Sequence, residues 1–158
     1  MKKLLRGLVL GLLIMLAGTQ AFAASSCTQA LQCSGNGYLC TLTMTWVAHT
    51  DGTFTSVAVD SAKLGTLTGY FLYMVRSDPG TTAPTANWDF TLTDAHGDIL
   101  GGMGANHSAT ATESFIPKID ATNLIYGAVP WRTSLTLAIS GNSVNAATGV
   151  IEFFFVKE

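Results

Sequence analysis

The stretch Ala83–Gly104, APTANWDFTLTDAHGDILGGMG, contains the plainest hairpin pattern in the chain. Trp88 to Thr93 alternates apolar and polar residues, which puts Trp88, Phe90 and Leu92 on one face of a strand. Asp94-Ala95-His96-Gly97-Asp98 reads as a polar turn, and Ile99-Leu100 as the apolar return. Gly97 tolerates the positive φ of a tight reversal, and the Asp94 carboxylate can accept from the backbone two residues on.

Working outward, the pattern repeats. Thr41–His49 alternates, with Leu42, Met44, Trp46 and Ala48 on one face, and Thr50–Thr53 turns the chain into a second strand, Phe54–Asp60. Lys63–Thr68 is a bridge. Gly69–Arg76 is apolar on both faces, as in a strand covered on both sides. Ser77–Pro84 contains two prolines and forms a loop. Beyond the opening hairpin, Gly101, Gly102 and Gly104 permit a bulge or close backbone approach, and no Lys-Ser/Thr follows to make a phosphate cradle. His107–Phe115 reads as a strand and Pro117–Pro130 as irregular. Trp131–Ser140 and Gly149–Lys157 close the chain as strands. About eight strands, with no helix after the N-terminus, predict an all-β fold. The expected form is a single antiparallel β-sandwich, Ig-like or jelly-roll-like, over residues 41–158.

The N-terminus has the layout of a secretory signal helix. Met1–Arg6 is basic, Gly7–Ala17 is apolar, and Ala21-Phe22-Ala23 is a small-x-small site that places cleavage after Ala23. The apolar run is shorter than the roughly 20 residues of a membrane span, so no stable span is expected after cleavage. An uncleaved anchor is the alternative. Residues 24–158 keep five bases against ten acids, a net charge of −5. Such a surface offers no footprint for nucleic acid. Charged residues make up only 11% of the chain, against about a quarter in average domains. Abundant Thr, Ser, Ala and Gly suit strands, and equally a surface packed against copies of itself.

Cys27, Cys33 and Cys40 all fall in residues 24–40, read here as an irregular, disulfide-pinned N-terminal arm. An exported chain favours one disulfide among them and leaves one thiol over. Zinc is the weaker alternative, since no close cysteine pair and no nearby histidine are present.

No residue set reads as a reaction centre, and no cofactor is expected. His49, His96 and His107 lack a nucleophile-elbow context, and a small secreted hydrolase would need a cluster that the linear sequence does not show. Asp94 and Asp98 flank Gly97 and are the calcium candidates, although turn capping accounts for both and the DxDxDG spacing is absent. Trp46 and Trp88 are in phase with core residues. Trp131, after Pro130 at a loop edge, is the exposed aromatic candidate for stacking on a glycan. Asn106-His107-Ser108 fits a glycosylation acceptor, a pattern that is irrelevant behind a bacterial signal peptide.

Three runs carry a resemblance: Pro84–Asp94 (PTANWDFTLTD), Gly97–Gly102 (GDILGG), and Ala105-Asn106 with Ser108–Glu113. Across residues 41–156 the chain resembles small β-sandwich structural proteins of tailed-phage and prophage gene clusters. The resemblance implies a virion or particle subunit with no catalytic residues to carry over. The signal helix and cysteine arm depart from that pattern, which points to an exported derivative or to a particle assembled at a membrane. The expected role is therefore a non-enzymatic exported structural, self-assembling subunit of a virion, filament or surface layer. It would associate with copies of itself or with another particle or surface subunit, through the apolar strand Val150–Val156 if that strand is exposed. A secreted glycan- or surface-binding module, presented by loops 78–87 and 101–107, is the alternative.

Overall fold

A computed structural model describes residues 24–120, 125–131 and 133–157. The expected signal helix and the expected cleavage site after Ala23 lie outside these residues. The chain is nearly all-β, with 50% strand and 5% helix. The elements in order are β1 (Ser26–Cys33), β2 (Leu39–Val47), β3 (Val57–Ala58), α1 (Ser61–Thr66), β4 (Tyr70–Pro79), β5 (Asp89–Asp94), β6 (Gly97–Asp98), β7 (Glu113–Phe115), β8 (Lys118–Asp120), β9 (Ile125–Tyr126), β10 (Val129–Pro130), β11 (Thr136–Ser140) and β12 (Thr148–Lys157).

Every pairing is antiparallel. The first sheet runs β1-β2-β12-β4-β10, with β7 also on β4; the second runs β3-β11-β5-β6; β8 and β9 form a separate hairpin. One continuous cluster of buried side chains draws on both sheets: Leu42, Met44, Trp46, Leu72, Phe153 and Phe155 from the first, and Phe90, Leu92, Leu137 and Ile139 from the second. The Trp46 and Trp88 rings meet at 5.3 Å between centroids, and Trp88 meets Phe90 at 5.5 Å. Each such large side chain contributes about 1.5–3 kcal/mol of burial.

Two glycines are required by close approach. Phe90 N donates to Gly104 O at 2.7 Å, and a Cβ on Gly104 would stand 1.9 Å from Phe90 O. Gly149 lies opposite Trp46, and a Cβ there would meet the indole Nε1 at 2.7 Å.

Several expectations change. Val150–Val156 is not an edge: β12 is paired along its length to β2 on one side and β4 on the other, so it has no ladder left for a neighbour. Residues 24–40 are not irregular, because Ser26–Cys33 is a regular strand. The expected strand 54–60 shrinks to Val57–Ala58, since the Asp60 side chain accepts from Ala62 N and opens α1, a helix that no sequence pattern announces. The return of the opening hairpin is Gly97–Asp98, and Ile99 and Leu100 are buried just beyond it. His107–Phe115 keeps only three strand residues, whereas Pro117–Pro130 gains β8, β9 and β10. Among the described residues twelve strands replace about eight, the excess being pieces of two or three residues. In β4, a register shift against Phe154/Phe155 switches the buried phase, so that Leu72 and then Val75 face the core in place of Met74.

Candidate functional site: an open sheet edge

β1 ends the first sheet and has a strand neighbour on one side only among the described residues. Its ladder to β2 runs unbroken from Ser26↔Val47 to Cys33↔Cys40. The turn is built locally. Gly37 takes φ +70, Leu39 N donates to Ser34 Oγ at 3.1 Å, and Tyr38 N donates to Asn36 Oδ1 at 3.2 Å. The Tyr70 hydroxyl donates to Gly37 O, tying the start of β4 to the turn. The Cys33–Cys40 disulfide then closes the hairpin. It constrains the unfolded chain by about 2–3 kcal/mol on the loop-entropy model.

The strand is also clamped to the second sheet. Gln29 Nε2 donates to Ala58 O at 2.8 Å, and Asp60 N donates to Gln29 Oε1 at 2.9 Å. Thr55 N donates to Ser25 Oγ at 3.0 Å. Cys27, Gln29 and Leu31 are half-buried, while Ser26, Thr28, Ala30 and Gln32 are exposed. Edge strands usually discourage pairing with charges, prolines or bulges. The eight residues SCTQALQC include no charge and no proline, and the ladder to β2 has no bulge. The remaining sheet ends are short: β3 and β6 have two residues each, and β10 and β7, on the far side of β4, have two and three.

The cysteines divide into the Cys33–Cys40 disulfide and the free thiol of Cys27. Burial pushes the Cys27 thiol up to about 11, which keeps it protonated and a poor nucleophile at neutral pH.

A serine, a histidine and a carboxylate do converge, at a place the sequence did not mark. Ser77 on β4 and His107 are 1% and 4% exposed. Ser77 Oγ lies 3.0 Å from His107 Nδ1, and Glu113 Oε2 lies 2.8 Å from the same nitrogen. A nucleophile relay needs serine and acid on opposite ring nitrogens. Here both occupy Nδ1, and Nε2 is buried without a hydrogen-bond partner. The ring packs among Trp88, Phe90 and Phe115 at 5.5, 4.7 and 5.6 Å. This is a polar link inside the core.

Asp94 and Asp98 act as turn caps. Asp94 Oδ1 accepts from His96 N at 2.7 Å, Asp98 Oδ1 from Leu100 N at 3.0 Å, and Asp98 Oδ2 from Gly102 N at 2.9 Å. Among the described residues no group of three or more His, Cys, Asp and Glu side chains is placed to hold a metal ion. Trp131 is half-buried against the core, with its Nε1 buried and unpartnered. It lines an open cleft of about 380 Å³ with Ser61, Leu64, Thr68, Gly69 and Thr133. No helix among the described residues is long and apolar enough to cross a membrane.

Comparison with known proteins finds no matching family model, no similar curated protein and no similar solved structure.

Proposed function

We propose that this chain is a non-enzymatic, exported structural subunit, a single antiparallel β-sandwich that works by associating with copies of itself or with another particle or surface subunit. Its kinship is with the small β-sandwich structural proteins of tailed-phage and prophage clusters that its hairpins resemble. One observation carries the reading: the eight-residue edge β1 is regular and uncharged and, among the described residues, has no strand on its outer side. A low charge content of 11% supports it, because little like-charge repulsion opposes packing between copies. The Cys33–Cys40 disulfide suits an oxidising compartment and therefore export.

The test is the mass of the purified protein in solution, followed by sedimentation velocity over a dilution series with and without reductant. The expected result is concentration-dependent association that persists in reductant, since the half-buried Cys27 thiol is not what joins the copies. A monomer at every concentration overturns the reading.

A second reading, a secreted glycan- or surface-binding module, rests on the Trp131 cleft. An indole face with the Ser61 and Thr68 hydroxyls nearby is a stacking and hydrogen-bonding surface for a sugar. Retention on a glycan array that disappears in Trp131→Ala supports it; an array without hits removes it.

A further inference from the structure

We infer that β1 pairs antiparallel with β1 of a second copy about a two-fold axis, joining two first sheets edge to edge into one continuous sheet. This inference rests on the self-association proposed above and names its surface and partner.

Three observations select that partner. The first is length. β1 presents eight residues, whereas the other sheet ends present two or three. Docking β1 onto any of those leaves most of its ladder unpaired; docking it onto another β1 uses nearly all of it. Pairing a strand with its own copy is isologous, so it closes a dimer and cannot propagate as a filament.

The second is charge. Residues 24–50, the whole β1–β2 hairpin with its flanks, contain no Asp, Glu, Lys or Arg, although residues 24–158 carry a net charge of −5. Two acidic copies can bring this hairpin together with no like charges opposed. Its exposed face is Thr28, Ala30 and Gln32 beside the threonines of β2, side chains that pair readily across strands.

The third is order. The disulfide, the turn hydrogen bonds and the Gln29 clamp already hold β1 extended. Pairing therefore sacrifices little conformational freedom.

Matching inner face to inner face restricts the register, because residues of like parity must stand opposite. Centring on Ala30 sets Ala30 against the partner's Ala30. Centring on Gln29 sets Ala30 against the partner's Thr28, and Cys27 against the partner's Leu31, which covers the half-buried thiol. In either register a charge at position 30 lies directly or diagonally beside its own copy.

Ala30 is exposed, so Ala30→Lys and Ala30→Glu test the pairing without touching the core. Sedimentation equilibrium at low salt is run on wild type, each variant and their equimolar mixture, with thermal melts to check folding. Each variant alone is expected to dimerise roughly tenfold more weakly, and the mixture to recover at least wild-type affinity through opposite charges across the two-fold. Recovery on mixing also excludes misfolding as the cause of the loss. If wild type associates and both variants associate equally well, β1 is not the interface and the self-association reading stands. Folded variants that weaken, with no recovery on mixing, rule out β1 in the same way. A monomeric wild type removes both proposals. Thr28→Lys, on the same exposed face, is the second variant, and unchanged dimerisation in it also counts against β1.

Discussion

Ser77 Oγ and His107 Nδ1 lie 3.0 Å apart in the interior, and the contact joins two sheets. His107 N donates to Trp88 O at 2.8 Å, and Asn87 N donates to His107 O at 3.0 Å, so the His107 backbone lies beside the start of β5 in the second sheet. Its ring reaches across to Ser77 on β4 and to Glu113 at the start of β7, both in the first sheet. Nδ1 thus faces one hydroxyl and one carboxylate oxygen, both within hydrogen-bond distance.

Removing that ring empties a site walled by Trp88, Phe90 and Phe115 and leaves the buried Ser77 hydroxyl without its partner. His107→Ala is expected to cost about 2–4 kcal/mol in urea unfolding. His107→Phe refills the space but not the hydrogen bonds, and is expected to cost about 1–3 kcal/mol. A loss within experimental error for both would show that the link contributes nothing to stability.

Gly149 is packed beneath the Trp46 indole in the middle of the first sheet, with Pro79 on its other side. A methyl group there would stand 2.7–2.9 Å from three atoms of that buried ring. Gly149→Ala is expected to destabilise by about 1–3 kcal/mol through overpacking, although alanine elsewhere in a strand usually improves on glycine. A stabilised Gly149→Ala, read by the same urea titration, would mean that the indole has room to move.

Cys27 sets the alkaline behaviour. Its thiol ionises near 9.0 in an unfolded chain and at about 11 when folded. The folded state therefore holds the proton longer. The contribution of this group is complete below pH 9 and is lost as pH rises toward 11. The measurable counterpart is alkylation by iodoacetamide in the native protein: slow at about pH 7–8, rising about tenfold per pH unit, with no plateau before about pH 10. Labelling at neutral pH as fast as that of a free cysteine would place the thiol in solvent. Cys27→Ser removes the alkylation signal and assigns it.

Much of the architecture could be read from local pattern. The alternation of Trp88, Phe90 and Leu92 marks β5, and all three are buried. Asp94 and Gly97 make the turn their chemistry suggests, with the carboxylate on His96 N and φ +125 at Gly97. Gly104 makes the close approach that the glycine cluster permits. The location of the open edge was hidden, because β12 and β1 declare only that they are strands. The hairpin of β1 with β2 is local, but β12 reaches the other side of β2 through pairings between residues more than a hundred apart, such as Ile151↔Met44, and that is what leaves β1 at the end of the sheet. The apolar Val150–Val156 run reads equally as an exposed pairing strand or as an interior one, and the pairings put it at the centre of the first sheet. SCTQALQC looked irregular because a glutamine occupies an inward position, where its amide is satisfied by Ala58 and Asp60 on a distant loop. The Ser77–His107–Glu113 link was equally illegible: thirty residues separate its first two members, and no local spacing marks it.

Amide hydrogen exchange along Ser26–Cys33, recorded as a function of protein concentration, tests the open edge most directly. In dilute solution the outward-pointing amides of β1 should exchange fast while those bonded to β2 are protected. As concentration rises, the fast set should become protected with the same midpoint as the change in sedimentation. Fast exchange of alternate β1 amides at every concentration, in a protein that nevertheless associates, would contradict edge pairing and move the interface to another face.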